Sequence, residues 1–418
     1  MLSKFWNKIT GKTDGKRKWL PALIAAAVFA AVAAGVIAAN ALNPIRYTLN
    51  DVSNISYEKG VVTAVEEEHK EPAPDFPGLS VGVQIVTVRM KNGPQKGEEL
   101  TIENDLSLIQ NVDVKKGTGV IVRAERPGGV TPHYALYSYD RTPGIIVVAC
   151  IFIAVMLLVG GRKGLRSVLG LAVSVFFVFV LLLPAVFRGQ PPVLMAVLTA
   201  LLTASFSLLL LNGFSRKTAA ALGATACSVL IAGVFYAVIS RILKLTGYGI
   251  DEAEELIMVS RATGLQIGQV LFAGVLIASL GAVMDMTVSV SAAMFELTGR
   301  QPELTPPALF RSGMSVGRDM VGATCQTLIL AFIGSAFASV LTIMAYGASF
   351  DRIFSSNYVA LEILQGASAA LAVVAAAPLT AALCAFIQRA KRPAEKENKD
   401  RTQTAKQTEK ISETSKNT

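Results

Sequence analysis

The feature that most restricts this chain is a recurring run of residues that is apolar on every face of a helix. Leu20 to Leu42 and Ile145 to Val159 carry no polar stripe at helical spacing. Helices packed on a soluble core keep one polar face, whereas all-round apolar helices belong in lipid or deep burial. A bilayer span takes about 20 such residues, and runs of that kind recur along the 418 residues. Charged residues make up 17% of the chain, against about 25% in soluble domains, and mean hydropathy is +0.50. The expectation is a multi-pass membrane protein and not a soluble enzyme.

Eight spans are expected, at roughly 20–42, 143–160, 165–187, 191–213, 218–240, 265–295, 319–346 and 359–387. Basic residues test the assignment. Arg162, Lys163 and Arg166 follow the second span, Arg216 and Lys217 the fourth, and Arg300, Arg311 and Arg318 the sixth. With the amino terminus inside, all of them fall in the cytoplasm, where Lys and Arg beside spans are retained. The expected location is therefore the bacterial cell (inner) membrane, with both termini cytoplasmic. The net charge of +9 lies in two tails. Residues 1–19 hold six Lys and Arg against one acid, and residues 389–418 hold nine against five. Charge placed this way speaks for lipid head groups and cytoplasmic retention, not for nucleic acid. The stretch 388–418, rich in Lys, Glu, Thr and Gln, is expected to be disordered. Ala39-Asn40-Ala41 resembles a signal-peptide cleavage site, although the apolar run before it is longer than such peptides carry.

Residues 43–142, between the first two spans, differ in composition. Val61 to Val65, Val83 to Met90, Glu99 to Ile102 and Val120 to Ala124 are short β-rich runs. Turn signals separate them at Lys91-Asn92-Gly93-Pro94, Lys116-Gly117 and Pro127-Gly128-Gly129. The expected fold class is thus an α-helical polytopic membrane protein with a small exported β-barrel-like domain, an OB-like barrel being one form. Docking of a partner and a purely structural role both remain open for it. Between spans five and six, residues 250–262 place Leu256, Ile257 and Val259 apart from Asp251, Glu252, Glu254 and Glu255, the pattern of an interfacial helix.

Enzyme chemistry finds no footing. Cys150, Cys227, Cys325 and Cys384 all lie in apolar runs, and His69 and His133 stand far apart without ligand partners. No metal, cofactor or catalytic group is expected.

The informative stretch is Gly281-Ala-Val-Met-Asp285-Met-Thr-Val-Ser-Val-Ser, ending at Glu296. Asp285 is the only ionisable residue between Arg261 and Glu296. At 1.5 Å per residue it lies about 16 Å deeper than Glu296, near the middle of a hydrocarbon core about 30 Å thick. A carboxylate there must be protonated, paired or beside water, and such residues usually mark ion or proton pathways. A protonated clamp between helices is the alternative. Gly264, Gly268 and Gly281 are candidate helix-packing positions. Arg318 and Asp319 stand at the cytoplasmic start of span seven, where dipole complementation and snorkelling are sufficient explanations beside a functional one. Thr324, Gln326 and Thr327 lie deeper and are candidates to hydrogen-bond Asp285.

At these residues the chain resembles the YibE/F family of bacterial membrane proteins. The likeness rests on Leu280-Gly-Ala-Val-Met-Asp-Met-Thr-Val-Ser-Val-Ser, Glu296, Ser315-Val-Gly-Arg-Asp-Met-Val-Gly, Val83 to Met90 and Gly97-Glu-Glu-Leu-Thr-Ile-Glu-Asn. A fainter likeness joins Gly281-x-x-x-Asp285 and Arg311 to Thr327 to the proton-relay helices of SecD/SecF and RND permeases. That likeness implies Asp285 as protonatable centre and Arg318 as its charge partner. Eight spans depart from the six of an RND half. The resemblance also leaves room for a homo-oligomer or a second YibE/F-family protein as partner. The reading is a proton-coupled secondary transporter or export accessory; the alternative is a non-transporting scaffold whose exported domain docks a partner.

Overall fold

A computed structural model describes residues 20–44, 54–73, 75–127, 131–245, 253–347 and 349–416. The basic stretch 1–19, Asp251 and Glu252, and the turn glycines Gly128 and Gly129 lie outside these residues. The chain divides into two compact units.

One unit holds an antiparallel sheet and one helix. Its strands are β1 (Ile55–Pro72), β2 (Ser80–Met90), β3 (Glu99–Leu106), β4 (Gly119–Glu125) and β5 (His133–Tyr139), in the order β3-β2-β1-β4-β5. The edge strands β3 and β5 approach each other, which curls the sheet into a half-barrel. Alternation sets the register: Val86, Val88 and Met90 of β2 and Val120, Val122 and Ala124 of β4 point inward. Strand β1 is long because it pairs with both β2 and β4, and two irregularities in its β2 register bend it. The four runs expected from sequence all lie in strands. Strand β5 was not expected from the sequence.

Polar side chains complete the half-barrel. Gln84 and Asn104 are buried. Gln84 donates to Val114 O at 3.2 Å and accepts from Val114 N at 3.1 Å, while Asn104 donates to Val112 O at 2.9 Å. Together they hold the β3–β4 connection across one end. Outside it, Lys70 bridges Glu68 and Asp113. The Lys70 hydrogen bond lowers the Glu68 carboxyl, and the Glu68 hydrogen bond raises the Lys70 ammonium, from their ordinary values. The lowered acid contributes stability above its unfolded range that is lost as pH falls through its folded value; the raised base loses its contribution as pH rises past 10.5. A fragment of residues 45–142 is therefore expected to be β-rich by circular dichroism, with a melting midpoint that falls at both extremes of pH. A flat pH profile would contradict the Glu68–Lys70 assignment, and a random-coil spectrum would show that the sheet needs the helices to fold.

Helix α2 (Thr142–Gly161) follows the sheet in the same unit. It ends at Gly161, where φ 52° and ψ −130° break the helical path.

The other unit is a helix bundle: α1 (Leu20–Leu42), α3 (Lys163–Phe187), α4 (Pro192–Asn212), α5 (Arg216–Ile242), α6 (Ala253–Thr263), α7 (Ile267–Arg300), α8 (Pro306–Ala345), α9 (Phe350–Phe354) and α10 (Asn357–Lys416). Local chemistry sets the ends. Pro191 and Pro192 open α4, Gly213 closes it at φ 69°, and the Ser215 hydroxyl caps α5 by accepting from Thr218 N at 3.1 Å. Pro184 removes a donor from α3, and Asn40 of α1 donates to the freed Val180 carbonyl at 2.6 Å. Arg188 in turn holds Asn40 Oδ1 at 2.7 Å. The residue that looked like part of a cleavage site thus ties α1 to α3.

Seven helices are long and apolar enough to cross a membrane: α2, α3, α4, α5, α7, α8 and the Asn357–Gln388 part of α10. Eight were expected; the first of them, α1, carries the shorter apolar stretch Ala26–Leu42. Helix α6 lies where the interfacial helix was expected. One expectation is corrected. Helix α8 begins at Pro306, not near residue 319, because Pro306 and Pro307 suit a first turn although the run before Met320 is polar. Helix α10 is drawn out through the basic tail to Lys416. Its Ala, Glu, Lys and Gln are good helix formers, and lengthening an existing helix needs no new nucleus.

Candidate functional site

Helix α7 runs through the bundle and contributes to two of its apolar clusters. Phe272, Leu276 and Leu280 pack on α4 and α5, and Met286, Val290 and Met294 pack on α10. Its 34 residues span about 51 Å, and Asp285 falls near the midpoint. The buried face carries Val283, Met286, Thr287, Val290 and Met294. The opposite face carries Gly274, Ala278, Gly281, Asp285 and Glu296, all exposed. Asp285 is thus a single carboxylate set among small residues. Among the described residues no hydrogen bond or ion pair reaches it.

Helix α8 meets α7 and α10 through glycine. A Cβ on Gly317 would lie 2.7 Å from Ala377 Cβ and 3.8 Å from Val290 Cγ2. Val290 is about 140° around α7 from Asp285 at 3.6 residues per turn, so the Asp285 carboxylate does not face α8. On α8, Gln326 lies about 180° around the helix from Gly317 by the same geometry. Arg318, Asp319, Gln326 and Thr327 are all exposed, and Thr327 donates to Ala323 O of its own helix at 2.9 Å. Arg318 stands about 18 Å inside α8, counted from Pro306 at 1.5 Å per residue, not at a helix start. Within one chain the structure does not bring these four residues, or Thr324, to Asp285.

The glycines also differ from expectation. A Cβ on Gly264, Gly268 or Gly281 would meet nothing within 4 Å, so no helix of this chain packs closely on them. Close approach occurs at Gly313 and Gly317 instead, opposite the alanine face of α10. Gly264, at φ 74°, ends α6 and lines with Gly268 an open cavity of about 720 Å³ that Tyr236, Arg241 and Gln269 also border.

Sequence reading missed a seam of buried hydroxyls inside the bundle. Thr199, Thr203 and Ser207 of α4, Thr225 and Ser228 of α5, and Ser279, Thr287 and Ser291 of α7 are all buried. Thr225 and Thr287 join α5 to α7 at 3.0 Å. The hydroxyls of Thr199 and Thr203 have no partner among the described residues. The signal was present, because Thr199, Thr203 and Ser207 recur every four residues and so share one helix face.

Seven helices long and apolar enough to cross a membrane, and a half-barrel sheet in a unit of its own, are features of a helical membrane protein. Residues 148–390, more than half of the chain, match the YibE/F-like protein family. The chain belongs to that family. The match includes Asp285 and the α8 polar residues and leaves the sheet outside. No curated protein and no solved structure matches the chain.

Proposed function

We propose that this YibE/F-like protein is a proton-coupled secondary transporter, or an export accessory driven the same way, in the bacterial cell membrane. The observation that carries this is Asp285: a carboxylate at the midpoint of an apolar helix, on the face turned from the core, without a partner among the described residues. A charge at that depth costs several kcal/mol in hydrocarbon. The group must gain and lose a proton, meet water, or meet another protein. In this reading Asp285 exchanges the proton, and Arg318, Asp319, Gln326 and Thr327 line the path. Because one chain keeps them apart, a second copy or a second YibE/F-family protein completes it. Both termini are cytoplasmic, and the sheet is an exported, OB-like half-barrel: β1 shared between β2 and β4, with β3 and β5 closing, is the order such a barrel requires.

The test uses everted membrane vesicles supplied with a radiolabelled small-molecule extract. Vesicles with the protein should accumulate label under a pH gradient and lose that accumulation when the gradient is collapsed. Equal accumulation with and without a gradient would remove proton coupling.

A scaffold is the second reading. It is favoured by the loop after β3, where Leu108 is half exposed and Ile109 fully exposed, an apolar tip suited to docking a partner.

Topology can be checked separately. In a chain whose native cysteines are replaced, cysteine at Ser138 should react with an impermeant thiol reagent added to intact cells, and cysteine at Ser312 should not. Labelling of Ser312 would invert the proposed orientation.

A further inference from the structure

A second membrane-embedded acid escaped the sequence reading. Glu362 lies in the second turn of α10, beside a cleft of about 320 Å³ between α8 and α10. Phe332, Ile333 and Phe337 of α8 form one wall, and Ile363 and Gly366 of α10 flank the carboxylate. Glu362 is the one charged residue lining the cleft. Its Oε2 is buried with no hydrogen-bond donor, and no ion pair among the described residues reaches the side chain. Every other lining group is a hydrocarbon or an aromatic ring.

We propose that this cleft binds an organic ammonium with an apolar body, its N–H on Glu362 and its body between α8 and α10. An ionised carboxylate only accepts hydrogen bonds, and the side chains lining the cleft offer it no donor, a place that a ligand N–H would fill. Unpaired charge in apolar surroundings is costly and is offset by a cation held at hydrogen-bond distance. The faces of Phe332 and Phe337 favour a cation again over a neutral group. A hard metal ion does not fit, because it would need several oxygen ligands where the cleft offers one carboxylate. The volume is at the lower end of small-ligand pockets, which suits a single aliphatic or aromatic amine. The assignment concerns binding and holds for a carrier or a scaffold alike.

The probe is radiolabelled decylammonium, with the full-length protein in lipid nanodiscs and empty discs subtracted. Saturable binding is expected. Glu362→Gln keeps the shape and removes the charge, and should weaken binding by at least about tenfold, the scale of a charge-assisted hydrogen bond. Gly366→Leu should do the same by filling the cleft, since a Cβ there is already 3.7 Å from Phe332. Decanol, equally apolar but uncharged, should not displace the probe at concentrations where unlabelled decylammonium does. Unchanged binding in Glu362→Gln, or displacement by decanol as effective as by the amine, would overturn the proposal and leave an acyl-chain groove. Should the Gln variant fail to assemble, competition between amine and alcohol on the unaltered protein decides alone.

Discussion

Asp285→Asn is expected to reduce gradient-driven accumulation to the background of vesicles lacking the protein, with membrane levels and detergent elution unchanged. Asn keeps the size of the side chain and can hydrogen-bond, but it cannot exchange a proton. Assembly should survive, because Asp285 makes no hydrogen bond or ion pair among the described residues and lies on the exposed face of α7. The same observation sharpens the contrast with a structural clamp. A clamp would have to act on another protein, so Asp285→Leu would then break that association while Asp285→Asn preserved it. Proton coupling predicts the reverse order of interest: both variants inactive, both still assembled. Arg318→Ala is the third arm. Arg318 does not reach Asp285 in one chain, so it should share the Asn phenotype only through a neighbouring copy. Mixing Asp285→Asn and Arg318→Ala chains would then restore part of the activity. A fully active Asp285→Asn protein would end the proton-coupling proposal and put the scaffold first.

The second large effect concerns folding. Gly317→Leu should leave little protein that elutes as a folded species in mild detergent, whereas Gly281→Leu should behave like the natural sequence. At Gly317 even the first added carbon would stand 2.7 Å from Ala377 Cβ, with Val290 next. Ala377 belongs to a face of α10, with Ala372, Ala376 and Ala381, that is almost wholly buried. No flexible side chain can swing away there, so two helices must part. Overpacking of this kind costs about 1–3 kcal/mol and more when backbones separate. Gly313 is milder, because the first atom its Cβ would meet is the Met294 sulfur at 2.5 Å, the end of an adaptable side chain. At Gly281 nothing lies within 4 Å. Equal folding of the Gly317 and Gly281 variants would mean that the α8–α10 contact is looser than described.

Much of this molecule is decided locally. All-round apolar runs set the long helices, since a backbone in lipid must satisfy its own hydrogen bonds. Alternation in Val83 to Met90 and Val120 to Ala124 sets strands, and Pro191-Pro192, Gly213 and Ser215 set helix ends, because each acts through its own backbone or next neighbours. The depth of Asp285 also follows from counting residues along one helix. Which way Asp285 points does not. Spacing gives the helical phase, but the neighbour that occupies each side of α7 depends on where Gly313 and Gly317 let α8 approach α10. That is why Arg318 and Gln326, close to Asp285 in an imagined sequence pairing, lie on other faces. The glycines divide in the same way: Gly264, Gly268 and Gly281 look like packing positions, yet only the packed bundle shows that Gly313 and Gly317 carry the contact. Strand β5 and the Glu362 cleft belong to this second kind as well. One is made by pairing across the sheet, the other by two helices distant in sequence, and long-range contacts of that sort leave no periodic trace in either segment alone.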